Sequence, residues 1–143
     1  MQCVKKRVIP VMLIVLTLFL CTSCDSTKQL EYYSDIEQYI WVTGTITHIK
    51  YSEDGNSLYI AFDDMSVNLS DNCFKVVGEN VRIVRESAYK DKLQIGERAE
   101  FQTAPKYFGD GYTMPIVSIR IGDTTLLAFE EGITNFLYWL NTK

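Results

Sequence analysis

The stretch that most constrains the fold is residues 41–51, WVTGTITHIKY, in which threonine alternates with larger side chains. This alternation, rich in β-branched residues, predicts a β-strand that is longer than the usual length of about five to six residues. Val42 and Ile46 share one phase of the alternation, whereas Ile49 falls on the other. Because a shift of one residue exchanges the two faces of a strand, the sequence predicts a bulge or a sharp coil between them. Gly44 offers a natural place for the strand to bend.

The rest of the chain predicts a mainly β domain with helices at three places. After a turn at Asp54-Gly55, residues 57–62 alternate apolar and other side chains and complete a hairpin with the first strand. Apolar residues at three- and four-residue spacing predict helices elsewhere. The remaining predicted elements are a short amphipathic helix at 29–39, a third strand near 65–69 or at 74–77, a helix at 79–89, strands at 98–103, 115–121 and 124–129, and a helix at 130–140.

In its order of elements, the chain resembles the OB-fold, a small Greek-key barrel. The resemblance covers residues 41–129 and depends on the long first strand with its glycine and on the helix between the third and fourth strands. It implies a mainly β, α+β fold: a small antiparallel OB-like barrel with an N-terminal helix, one helix between strands and a C-terminal helix. No functional motif contributes to this resemblance, so it implies no activity by itself.

The N-terminus has the three-part pattern of a secretory signal. Lys5, Lys6 and Arg7 form a positive cluster, the uncharged run 8–20 follows, and small residues come after it. The run has 13 residues, whereas a membrane-spanning helix needs about 20. A membrane span is therefore the alternative only if the leader is not cleaved.

The residues around the expected cleavage point, Cys21-Thr22-Ser23-Cys24, resemble the lipobox of bacterial lipoproteins. Thr22 and Ser23 fit its two small positions, and Cys21 stands where leucine is usual. The resemblance implies that Cys24 receives a lipid such as palmitate and becomes the first residue of the mature chain. The same residues also form a C-x-x-C, but a redox pair should open a helix and a zinc site needs two more ligands at matching spacing. The whole chain is similar to small bacterial lipoproteins that have no assigned activity.

The predicted organisation is a signal peptide at residues 1–23, a tether with a short helix at 24–40, and a single OB-like domain with a C-terminal helix at 41–143. Three of the 14 basic residues lie in the leader and all 18 acidic residues lie after it, which leaves 11 basic against 18 acidic residues and a net charge of −7. An acidic domain repels phosphate backbones, so no nucleic-acid partner is expected. Cys73 is the one cysteine beyond Cys24, so the mature domain forms no internal disulfide; we interpret Cys73 as a small buried residue, with a reactive thiol as the alternative.

The most unusual loop is the stretch 103–115, TAPKYFGDGYTMP, where aromatic residues surround two glycines. Two interpretations stay open. Exposed rings on a flexible loop are typical of a contact surface, which would suit stacking on sugar rings or packing against a protein. Alternatively, the rings fold back and cap the barrel, since aromatic residues are more often buried. The candidate binding residues of this loop are Lys106, Tyr107, Phe108, Asp110 and Tyr112.

Candidate catalytic and metal-binding residues are few. His48, the one histidine, lies in a predicted strand on the phase that leaves the core, so we expect it to be exposed without a nucleophile beside it. Asp63 and Asp64 begin an oxygen-rich stretch that continues to Asn72, but its spacing fits no EF-hand, so we expect a solvated loop. The sequence predicts no catalytic residue, no metal site and no cofactor.

These observations predict an exported lipoprotein at the extracytoplasmic face of the cell membrane. The membrane would be its partner through the N-terminal lipid, which would anchor the protein there. The expected role is a non-enzymatic module that binds a protein or glycan partner at the cell envelope. The alternatives are an envelope hydrolase acting on glycan or peptide, in which paired carboxylates could act without histidine, and a purely structural lipoprotein.

Overall fold

The structure, a computed structural model, describes residues 27–109 and 111–143. The chain divides into two compact units, residues 1–32 and residues 33–143. In the first unit, the described residues are helical. The second unit contains every strand among the described residues, two α-helices and two short 3-10 helices, so the candidate sites of the folded domain all lie within it.

The described residues form a mixed α+β structure that is mostly β. Residues 27–34 are helical and form α1. Short 3-10 helices lie at Ile36–Gln38 and Lys90–Lys92. The other elements are β1 (Ile40–Tyr51), β2 (Ser57–Asp63), β3 (Cys73–Val77), α2 (Glu79–Glu86), β4 (Arg98–Thr103), β5 (Met114–Pro115), β6 (Ser118–Ile121), β7 (Thr124–Leu127) and α3 (Phe129–Asn141).

The seven strands form one sheet in the order β5-β3-β2-β1-β4-β6-β7. The long strand β1 lies at its centre and pairs antiparallel with both β2 and β4. β5 pairs parallel with β3, and the remaining pairs are antiparallel. The prediction of a mainly β, α+β domain is confirmed, including a helix between the third and fourth strands. The sheet is not closed in this strand order, so a barrel is not confirmed.

The predicted change of phase in β1 is a bulge at Thr47. Ile46 pairs with Phe62 and His48 pairs with Ala61, so β1 has one residue more than β2 at this point. Gly44 is required nearby because a Cβ atom there would lie 2.9 Å from the Cβ of Phe62. The bulge and the close approach at Gly44 let β1 bend while its inward side chains stay in the core.

The core lies on the inner face of the sheet and is rich in aromatic contacts. The rings of Phe62 and Phe101 stack with centroids 4.3 Å apart, and Phe74 meets Phe101 edge-on at 4.8 Å. All three side chains are fully buried. Offset-stacked and edge-to-face pairs are the favoured arrangements of aromatic rings, so these contacts add specific geometry to the burial of apolar surface.

The C-terminal helix α3 packs unusually close to the sheet at Gly132. A Cβ atom on this residue would overlap the carbonyl oxygen of Val117 and would lie 2.7 Å from its carbonyl carbon. Fully buried Asn80 of α2 donates from Nδ2 to the Gly132 carbonyl at 2.8 Å, and its Oδ1 accepts from Asn135 Nδ2 at 3.0 Å. These bonds satisfy a buried amide and fix α3 against α2.

Two predicted elements are divided in the structure. The single helix predicted at 29–39 is interrupted because Asp35 is extended and its carboxylate accepts hydrogen bonds from Glu37 N and Gln38 Nε2, which favours a new turn over a continued helix. The single strand predicted at 115–121 is interrupted at Ile116 and Val117, because the chain changes its partner there from β3 to β4. The helix predicted to reach residue 89 ends at Glu86.

Candidate functional site

A row of two lysines and a tyrosine crosses the outer face of three neighbouring strands. Lys50 of β1 pairs with Tyr59 of β2, and Tyr59 pairs with Lys75 of β3. Side chains of directly opposite residues lie on the same face of a sheet. The aromatic ring of Tyr59 therefore lies between two cationic side chains.

A second row lies beside the first on the same face. His48 of β1 pairs with Ala61 of β2, and Ala61 pairs with Cys73 of β3. The bulge at Thr47 places His48 and Lys50 on this outer face, as the predicted phase change requires. The exposure predicted for His48 is confirmed, and its Nδ1 lies 3.1 Å from the Thr47 hydroxyl. Because Ala61 has the smallest side chain of the row, it leaves a depression between its neighbours.

The two rows form most of an open groove, which continues to the β1–β2 turn. Charged, aromatic and small side chains share its lining. The lining residues are His48, Ile49, Lys50, Ser52, Glu53, Tyr59, Ala61 and Cys73.

Lys75 connects this groove with the aromatic loop. It is 8% exposed, and its Nζ lies over the rings of Tyr59 and Phe108, 5.3 Å and 5.7 Å from their centroids. A cation over an aromatic face is attracted by the electrons of the ring, and more strongly where water is excluded. Lys75 thus positions the Tyr59 ring and brings residue 108 of the loop to the edge of the groove.

The structure buries one ring of the aromatic loop and leaves two rings exposed, and the use of the exposed rings as a contact surface stays a prediction. Phe108 is buried as the capping interpretation requires, and its ring meets Phe136 edge-on at 5.2 Å. Tyr107 and Tyr112 stay 36% and 75% exposed. Lys106 is exposed as well, whereas Asp110 lies outside the described residues.

The backbone of the loop is held in place from both sides. The Tyr33 hydroxyl is within hydrogen-bond distance of the Lys106 and Tyr107 carbonyls, at 2.8 and 3.1 Å, and Phe108 N donates to the Thr113 carbonyl at 3.1 Å. Gly111 N donates to the Phe108 carbonyl at 3.2 Å with a positive φ of 81°, a conformation that suits glycine. The exposed tyrosines therefore extend from an ordered support.

The β1–β2 turn closes the other end of the groove. The Asp54 carboxylate accepts hydrogen bonds from the Ser52 hydroxyl at 2.6 Å and from Asn56 N at 3.0 Å. The Ser52 hydroxyl, followed by the Asn56 amide, holds the pKa of Asp54 below its usual value because both donors favour the charged carboxylate. Arg85 Nη2 donates to the Gly55 carbonyl at 2.6 Å. These bonds hold Glu53 at the edge of the groove.

The structure does not assemble the candidate catalytic residues into a pair. His48 and Cys73 lie in one row but two strands apart, a backbone separation of about 10 Å. Asp63 and Asp64 are exposed at the end of β2. Within residues 27–109 and 111–143, no group of three or more His, Cys, Asp and Glu side chains is arranged to hold a metal ion.

Lys50, Tyr59 and Lys75 were not among the site residues predicted from the sequence. Their alignment depends on the register of three strands, and the nearest signal in the sequence was the phase change that places His48 and Lys50 outside. Lipidation of Cys24 lies outside the described residues and stays a prediction. In the part of the chain that the structure describes, no helix has the length and apolar character needed to cross a membrane.

No protein-family model matches the chain, and no curated protein matches its sequence. The groove and its surroundings are therefore the basis for the proposed function.

Proposed function

We propose that the chain is an exported lipoprotein, held at the extracytoplasmic face of the membrane by a lipid on Cys24, whose domain is a non-enzymatic binding module. The leader supports the first part of the proposal, because a positive cluster, a short apolar run and small residues precede Cys24. The groove on the outer face of β1, β2 and β3 supports the second part.

We also infer that the domain is an OB-like barrel. The support comes from residues 114–121, which pair first with β3 and then with β4. At the change of partner, Ile116 N donates to the Lys75 carbonyl at 3.0 Å and Val117 N donates to the Gln102 carbonyl at 3.1 Å. If this stretch is taken as one bent strand, it joins the β3 side of the sheet to β4, which already pairs with β1. A ring of five strands results, which is the strand number of the OB-fold barrel.

The ligand of the module is proposed to be an envelope oligosaccharide. OB-folds bind oligonucleotides and oligosaccharides on the face of strands 2 and 3 between the loops that follow strands 1 and 4. In this chain that face carries the groove, and the corresponding loops are the turn at 52–56 and the aromatic loop at 104–113. The net charge of −7 disfavours nucleic acid, whereas the Tyr59 ring offers a sugar an apolar stacking surface.

The observation that carries the proposal is the position of Tyr59 in an open groove, so this ring is the residue to test. Full-length protein in detergent would be screened against an array of envelope glycan fragments, and the best binder titrated by calorimetry. Tyr59→Ala should weaken binding about tenfold, which corresponds to about 1.4 kcal/mol and is within the range of one aromatic contact.

Tyr138→Ala is the matched control, because Tyr138 is a tyrosine of α3 that is 72% exposed and does not line the groove. It should bind as the wild type does. Equal affinity for the wild type and Tyr59→Ala, or capture of a protein partner with no glycan bound, would contradict the glycan proposal. Turnover of glycan, ester or peptide substrates that requires His48, Asp63 or Asp64 would contradict a non-enzymatic role.

A further inference from the structure

The charged groups in and beside the groove sum to the opposite sign from the domain as a whole. The mature chain has 18 acidic and 11 basic residues, yet Glu53 is the one carboxylate among the residues that line the groove. Lys50 lines it as well, and the ammonium group of Lys75 lies over the Tyr59 ring, so this place has two ammonium groups and one carboxylate. A local excess of positive charge on an acidic protein favours an anionic ligand at this place over the rest of the surface.

Among the residues that line the groove, Lys50 is the one expected to contact such a ligand. It is exposed, and across residues 27–109 and 111–143 its side chain forms no hydrogen bond or ion pair. Five other basic side chains of the domain do have acceptors. They are Arg82, Arg85, Lys92, Arg98 and Arg120.

The spacing of the row suits a sugar that carries a negative group. Neighbouring strands lie about 4.8 Å apart, so the backbones at Lys50 and Lys75 are about 10 Å apart with Tyr59 between them. A sugar ring stacked on Tyr59 would therefore have its substituents within reach of the flexible Lys50 side chain.

We infer that the groove binds an anionic oligosaccharide, with a sugar ring on Tyr59 and its carboxylate or phosphate beside Lys50. The inference rests on the proposed glycan-binding function and adds the ligand's charge. Lys50 contributes by charge attraction and hydrogen bonding to the negative group. Glu53, at the turn end of the same groove, opposes that group by like-charge repulsion.

Two tetrasaccharides of similar size test this inference. Full-length protein in detergent would be titrated with a galactose tetramer in which one sugar is galacturonic acid and with the neutral galactose tetramer. The acidic tetramer should bind about fivefold more tightly. Lys50→Gln should remove most of this difference, since an exposed charge pair contributes up to about fivefold in affinity, and should leave the neutral tetramer unaffected.

Two further variants separate a local contact from the effect of net charge. Lys90→Gln removes the same charge from an exposed residue outside the groove, so it should leave the preference for the acidic tetramer intact. Glu53→Gln should increase the affinity for the acidic tetramer about two- to threefold. A titration with a phosphorylated tetrasaccharide would show whether carboxylate or phosphate is the better group at Lys50.

The outcomes distinguish this inference from the proposed function. Equal, Tyr59-dependent binding of both tetramers would overturn the anionic inference and leave glycan binding in place. Equal losses in Lys50→Gln and Lys90→Gln would also overturn it, because the effect would then come from net charge. Absence of all glycan binding, on the array as well as in solution, would overturn both.

Discussion

The contact between α3 and the backbone at Val117 determines whether alanine at residue 132 raises or lowers the free energy of unfolding. Gly132 lies inside α3, and in an isolated helix its replacement by alanine is favourable by about 1 kcal/mol. In this fold we expect Gly132→Ala to destabilise the protein. The reason is that the new methyl group would overlap the Val117 carbonyl, which belongs to the backbone and cannot rotate away.

The expected loss follows from the distances. Packed carbon atoms lie about 3.5–4.0 Å apart, whereas the added Cβ would lie 2.7 Å from the Val117 carbonyl carbon, so the helix or the sheet must move by roughly 1 Å. Overpacking of this kind costs about 1–3 kcal/mol. The movement would also weaken the bonds from Ile116 N and Val117 N, which are worth about 0.5–1.5 kcal/mol each. After the gain in helix propensity, the net loss is about 1–5 kcal/mol.

Urea denaturation followed by circular dichroism measures this loss. The control is Thr134→Ala, an exposed position in the same helix. The loss of the hydrogen bond from Thr134 Oγ1 to the Glu130 carbonyl is offset by the gain in helix propensity, so the free energy of unfolding should change by less than about 0.5 kcal/mol. A Gly132→Ala protein as stable as the wild type, or more stable, would refute the close backbone contact. It would also remove the requirement for glycine at this position.

Three further predictions concern the strand β1, the turn and the leader. Gly44→Ala should lower the free energy of unfolding by about 1–3 kcal/mol in the same urea assay, because the added Cβ would lie 2.9 Å from the Cβ of Phe62. In an NMR pH series, the Asp54 carboxyl should titrate below the usual aspartate pKa, and in Ser52→Ala its pKa should return toward the usual value. Because folding lowers this pKa, the stability that the carboxylate contributes is present above the usual pKa and is lost as the pH falls through the lowered value. Cys24→Ser should abolish acylation, and intact-mass analysis of membrane-extracted wild type should show an acylated chain that begins at Cys24.

The strands were the most predictable part of the fold because each has one buried and one exposed face. Leu58, Ile60 and Phe62 alternate strictly and are all fully buried, so the hairpin was predictable from local sequence. The bulge in β1 was predictable for the same reason, since a strand that keeps its apolar residues inside can change phase only by gaining or losing a residue. The break at Ile116 was not predictable, because the alternation continues through it and only the change of partner strand interrupts the ladder.

The candidate site was less predictable than the fold. The composition of the aromatic loop indicates a candidate site, but it does not distinguish buried Phe108 from its exposed neighbour Tyr107. That difference is set by packing of the ring against α3. The row of Lys50, Tyr59 and Lys75 draws one residue from each of three strands, so it exists only once their registers are fixed.

The extra residue at Thr47 has a consequence for changes in chain length. Deleting Thr47 would leave Ile46 facing inward and His48 facing outward, as in an ordinary strand, so every other residue of β1 would keep its environment. Deleting Thr45 instead would turn Ile46 toward solvent and bring Thr47 inside. β1 therefore has one position where a residue can be lost without exchanging core and surface. We expect natural sequences with this fold to vary in length at that position sooner than at others in the strand.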